Sequence, residues 1–161
     1  VKNKNTETLA EMTLRINTSR WAGVPFRLRS GKALGDGRNA ITITFKPVGH
    51  LPEGFVNTPA QNIINIGMKP ENIAVGISTN AEGDSLDLED SVLFTELGSS
   101  AIRPYGEILQ GILDGDPLLS VRGDIAEECW RILGPVLEAW GDGRVPMDEY
   151  RAGSSGPNTW K

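Results

Sequence analysis

The sequence predicts an α+β fold: a large, mainly antiparallel β-sheet with helices packed on one face. Two features of the 161-residue chain carry that expectation. The first two thirds alternate apolar and polar residues with period two, as strands with one buried face do, and the last third switches to helical spacing. Strands first and helices afterwards, with no βαβ rhythm, exclude a doubly wound parallel sheet.

Ala10, Met12, Leu14 and Ile16 form the first alternating run, and Ile41, Ile43 and Phe45 the second, with Thr42 and Thr44 between them. Ile64, Ile66 and Met68 face Ile73, Val75 and Ile77 across a Lys-Pro-Glu-Asn turn, which reads as a hairpin. Leu86 and Leu88, then Val92 and Phe94, continue the series through an acidic surface. Pro104 suits a helix's first turn, and Tyr105, Ile108, Leu109, Ile112 and Leu113 share a face until Asp114-Gly115 stops it. A second helix is expected from Asp124 as N-cap, with Glu127 in capping-box position. Ile125, Cys129, Leu133, Val136, Leu137 and Trp140 line one side, and Gly134-Pro135 marks a kink.

The length is that of one domain, residues 1 to 161, able to bury about 70% of its unfolded surface. One cysteine excludes an internal disulfide framework, and without a signal segment the default compartment is the cytoplasm. No run of about 18 apolar residues exists, so no membrane span is expected. The net charge of −5 argues against nucleic acid, yet residues 1 to 50 hold nine of the 16 Lys/Arg and only three of the 21 Asp/Glu. That basic end suits a small anion, since no aromatic ladder interleaves its cations.

His50, the only histidine, stands in a Val-Gly-His-Leu-Pro turn with no co-operating group in sequence, and it reads as an ordinary loop residue. Cys129 reads as a small buried hydrophobe rather than a nucleophile. Glu82, Asp84, Asp87, Glu89 and Asp90 lack the spacing of a calcium loop and read as a solvated strand edge, so no metal site is expected. The stretch "WAGVPFRLRSGK", residues 21 to 32, is more informative. Arg27 and Arg29 share one strand face, and Gly31 allows a change of direction that aims Lys32 into a cleft. With Arg38 beyond the next turn, Lys32 offers charge and donors to a phosphate or to sugar hydroxyls.

"RWAGVPFRLRSGKAL", residues 20 to 34, resembles the R-W-x-G-V-P-F-x-L-R-[ST]-G-K stretch of the glucose-6-phosphate dehydrogenase family. "TETLAEMTLRIN" near the start, "RPYGEILQGILDGDPLLSVRGDIAEECWRILGPVLEAW" and the closing "YRAGSSGP" are similar to three more of its motifs, in order from Thr6 to about Pro157. The resemblance implies the C-terminal domain of such an enzyme, completing the glucose 6-phosphate pocket and forming dimers or tetramers through the sheet. It places the NADP-binding Rossmann-type half, and every catalytic residue, upstream, so that Val1 to Asn5 is read as a boundary and the isolated chain as inactive. It assigns Lys32 to the substrate. Arg38 carries over one position beyond a family cation, where Gly37 stands, and Lys69 aligns with a position that approaches substrate in some members. Arg29 and Arg38 keep the charge that other members direct to a second, structural NADP, but Thr42, Gly67 and Ser155 do not, so that nucleotide is not expected. The contrasting expectation is a non-catalytic sugar-phosphate-binding or assembly module on the same sheet.

Overall fold

The computed structural model describes residues 6–98 and 102–160. Six strands come first, β1 (Leu9–Arg15), β2 (Pro25–Gly31), β3 (Asn39–Thr44), β4 (Ile63–Lys69), β5 (Glu71–Ala81) and β6 (Asp84–Glu96), followed by α1 (Pro104–Asp114) and α2 (Gly123–Gly141). The α+β class holds, and every strand pair is antiparallel. The strands form two sheets, β1-β2 and β3-β4-β5-β6, where the sequence suggested one. The chain divides into two compact units: residues 1–37 with 104–161, and residues 38–103.

In the first unit, β1 and β2 pair from Leu9 opposite Gly31 to Arg15 opposite Pro25. Met12 and Leu14 therefore share a face with Leu28 and Phe26, while Glu11 and Thr13 share the other with Arg29 and Arg27. The connection is tight. Trp21 and Ala22 donate backbone N–H groups to the Thr18 carbonyl at 3.1 and 2.8 Å, and Gly23 takes the left-handed φ of +82° that returns the chain to β2. The Trp21 ring meets Phe26 edge-on at 5.4 Å, with the Arg20 guanidinium 5.2 Å from the Trp21 centroid. The Trp-Ala-Gly part of the Trp-Ala-Gly-Val-Pro-Phe run is thus a folded turn, and Pro25 and Phe26 open β2.

α1 starts at Pro104 and ends before Gly115, at φ +70°, as its sequence predicts. α2 differs at its start. Arg122 is the N-cap residue and makes no side-chain cap, and its guanidinium instead takes both Asp124 carboxylate oxygens, at 3.0 and 2.6 Å. Asp124 falls inside the first turn, where its charge suits the positive helix end, so the expected capping box does not form. The C-terminus closes through Gly143, at φ +68°: Gly143 donates to the Trp140 carbonyl and Arg144 to that of Ala139, a Schellman arrangement. Pro135 lies inside α2 without ending it. Neither helix buries a residue, and Cys129 is exposed, against the expectation of a buried thiol.

The second unit is a single sheet. Its register places Ile43, Ile64, Val75 and Leu93 in one row across all four strands, flanked by the row Ile41, Ile66, Ile73 and Thr95. These residues share a face, which bears out the alternation read in β3, β4 and β5. β6 breaks it. Val92 and Phe94 pair with Gly76 and Ala74 on the opposite face, so β6 carries apolar residues on both sides. The expected hairpin is present, closed by the Met68–Glu71 pair one residue earlier than the 69–72 turn read from sequence, and its Lys69–Pro70 peptide is cis. No hydrophobic residue among those described is buried. The large core expected from length is therefore absent among the described residues. Among the described residues no helix is long and apolar enough to cross a membrane.

Candidate functional site

The site begins where β2 ends. Gly31 is the last residue of that strand, and a Cβ there would come within 2.6 Å of Leu9 Cδ1, so glycine serves close packing of β1 on β2. The change of direction expected at Gly31 occurs two residues later, at Ala33, with φ +51°. Lys32 lies between the two. Its N–H donates to the Thr8 carbonyl at 2.8 Å, one step beyond the strand ladder, and its own carbonyl lies 2.8 Å from the Tyr150 hydroxyl.

Tyr150 belongs to the Tyr-Arg-Ala-Gly-Ser-Ser-Gly-Pro segment, which runs along the same turn. Gly153 donates its N–H to the Ala33 carbonyl at 2.8 Å, and Gly35 donates to the Ser154 carbonyl at 3.0 Å. A Cβ at Gly35 would collide with the Gly153 carbonyl, so the approach of the two backbones requires glycine. Arg29 completes the seam by donating to the Ser155 carbonyl. Its guanidinium also lies 3.7 Å from Glu11 and 5.9 Å from the Trp160 ring. Arg27 reaches the same Glu11 at 3.9 Å, so the two arginines do share a face, as read from sequence, and both answer to one carboxylate.

Lys32 is exposed and lines a cavity of about 580 Å³ with Thr8, Trp140, Met147, Tyr150 and Trp160. In the second unit, Arg38 directly precedes β3, and the first residue of β3, Asn39, pairs with Lys69 at the end of β4. Register therefore brings Arg38 and Lys69 to one end of that sheet. His50 is an exposed loop residue, as read from the sequence. The acidic residues lie on or beside β6, an edge strand, as expected. Asp84 accepts the Leu86 N–H at 2.9 Å, Asp90 accepts from Ser78 at 3.3 Å, and Asp87 accepts from Asn57.

Arg29 is engaged by Ser155 and Glu11, and Ser155 presents a carbonyl to it rather than a cation. The Thr42 hydroxyl is donated to Asn65 at 3.0 Å, and a Cβ at Gly67 would lie 2.6 Å from the Pro70 carbonyl. The residue that sequence reasoning passed over is Tyr150. Its place in the closing motif was the available signal.

Fold and site together define an antiparallel α+β domain that presents a cation at a strand end, pinned by a segment more than a hundred residues away. The family described as "Glucose-6-phosphate dehydrogenase, C-terminal domain" matches residues 1–161, and the chain belongs to that family. It is 35% identical over 159 residues to glucose-6-phosphate 1-dehydrogenase of Gluconobacter oxydans, covering 94% of this chain and 32% of that protein. It is 36% identical over 163 residues to the Mycolicibacterium smegmatis protein of the same name, again covering 94% of this chain and 32% of the relative. The chain thus spans about a third of the length of the curated relatives it matches. The crystal structure of the Mycobacterium avium glucose-6-phosphate 1-dehydrogenase superimposes with a TM-score of 0.78 at 33% identity, covering 96% of this chain and 33% of that one. A glucose-6-phosphate dehydrogenase in complex with glucose 6-phosphate gives the same TM-score at 26% identity, over 94% of this chain and 32% of that one.

Proposed function

We propose that this chain is the part of an NADP-dependent, cytoplasmic glucose-6-phosphate 1-dehydrogenase that completes the sugar-phosphate pocket and forms the subunit contact. The reaction removes a hydride from C1 of glucose 6-phosphate and the proton of the C1 hydroxyl, giving 6-phosphogluconolactone. NADP+, when bound to the remainder of the full-length protein, supplies the hydride acceptor. The residues of this chain bind and orient the sugar.

Lys32 carries the reading. A lysine ammonium is a compact charge with three donors, and it serves best when its stem leaves a fixed backbone. Here both backbone polar groups of Lys32 are held, by Thr8 and Tyr150, while the side chain stays exposed beside the cavity. Arg38 and Lys69 add charge from the second unit in the same role. The subunit contact is supported by the apolar row of the four-stranded sheet, where Leu93 is 61% exposed.

In the full-length protein, Lys32→Ala raises KM for glucose 6-phosphate at least tenfold, about 1.4 kcal/mol, with a smaller change in kcat. An unchanged KM removes Lys32 from the pocket.

A further inference from the structure

We infer that Tyr150 is a positioning residue for substrate binding, acting through the backbone of Lys32; the inference rests on the reading of Lys32 as a sugar-phosphate contact. The Tyr150 oxygen lies 2.8 Å from the Lys32 carbonyl, 3.0 Å from the Thr8 carbonyl and 3.1 Å from Thr8 Oγ1. A phenol has one proton to give and can also accept one. The shortest contact assigns that proton to the Lys32 carbonyl, with the Thr8 carbonyl and Thr8 Oγ1 as the longer acceptors around it. The Thr8 carbonyl already receives the Lys32 N–H at 2.8 Å. Thr8, Lys32 and Tyr150 thereby form a closed set in which the phenol ties the turn after β2 to the residue before β1.

The placement of this tie gives it a functional reading. Lys32 is followed by Ala33 at φ +51°, a conformation that a residue with a Cβ adopts at a cost. The Gly153 and Ser154 contacts hold Ala33 and Gly35, while Tyr150 alone among the described side chains bonds the Lys32 carbonyl. Removing the phenol oxygen frees that carbonyl and lets the lysine stem rotate with its peptide. The strand ladder stays intact.

The test is a double-mutant cycle in the full-length protein. Tyr150→Phe raises KM for glucose 6-phosphate about fivefold with kcat unchanged, the size expected for one lost hydrogen bond that sets a binding geometry. Tyr150→Phe added to Lys32→Ala raises KM no further, because the lysine through which it acts is gone. A merely structural role lowers the melting temperature and leaves KM alone. That outcome overturns the inference, as do multiplicative effects in the double variant. If Lys32→Ala itself leaves KM unchanged, the assignment of Lys32 fails first, and an effect of Tyr150→Phe then has to be explained without it. Should Tyr150→Phe not fold, Thr8→Val removes the hydroxyl oxygen that lies 3.1 Å from the phenol and helps to hold it in place. It is expected to raise KM about twofold in the wild-type background and not in Lys32→Ala, and an unchanged KM there overturns the inference.

Discussion

The two units of the chain solve the problem of order differently. In the first, a two-stranded ribbon is too small to be stable alone, and its end is fixed by a seam of backbone and side-chain hydrogen bonds with residues 150–155. In the second, four strands pair continuously apart from register shifts at Asn39/Ala40 and Asn80/Ala81, and Ile43 and Leu93 of their apolar row are exposed. One unit therefore spends its distant contacts on placing a single lysine. The other leaves apolar side chains of a regular sheet exposed. The lesson is that a residue on a weak element needs an external clamp, whereas a wider sheet orders its own rows.

Substitutions at the two glycines of the first unit break that comparison most sharply. Gly35→Ala puts a Cβ into the Gly153 carbonyl and should destabilise the fold by about 3 kcal/mol, since neither backbone can yield cheaply. Gly31→Ala meets side chains alone, the flexible ends of Leu9 and Leu34 and the Leu9 Cβ, and should cost about 1 kcal/mol. Chemical denaturation of the full-length protein measures both, and equal costs would mean that the seam is not rigid. In the second unit, Leu93→Glu is expected to change folding stability by less than about 0.5 kcal/mol and yet shift the protein to a smaller assembly in analytical ultracentrifugation. An unchanged assembly would separate the exposed row from the subunit contact.

The smallest effect is expected on α2. Arg131 donates to Glu128 one helical turn away and holds that carboxyl below the ordinary glutamate range, chiefly through the hydrogen bond. The folded value is the lower one, so the pair stabilises fully above the unfolded glutamate pKa and loses its contribution as pH falls through the folded pKa. Helical circular dichroism should show a shallow acid loss in the wild type that is absent in Glu128→Gln. The pair is fully solvated, so the difference is small.

Much of this was legible in the sequence because it is local. Period-two runs located β3, β4 and β5, Pro104 and Asp114-Gly115 bounded α1, and the Ser-Gly-Lys stretch located Lys32. What escaped depends on competition or on distance. The helix begins at Gly123 with Arg122 as its N-cap residue, which places Asp124 inside the first turn, bonded to Arg122. The face taken by Val92 and Phe94 follows from their pairing with Gly76 and Ala74, which alternation alone does not reveal. Tyr150 acts 118 residues from Lys32, beyond the reach of any local pattern.

The central claim is that a clamped Lys32 reaches the sugar phosphate. A crystal structure of the full-length protein with glucose 6-phosphate tests it most directly. The account predicts Lys32 Nζ within about 2.7–3.2 Å of a substrate oxygen, with the Tyr150 hydroxyl still on the Lys32 carbonyl. A bound sugar phosphate with Lys32 Nζ turned to solvent would contradict it.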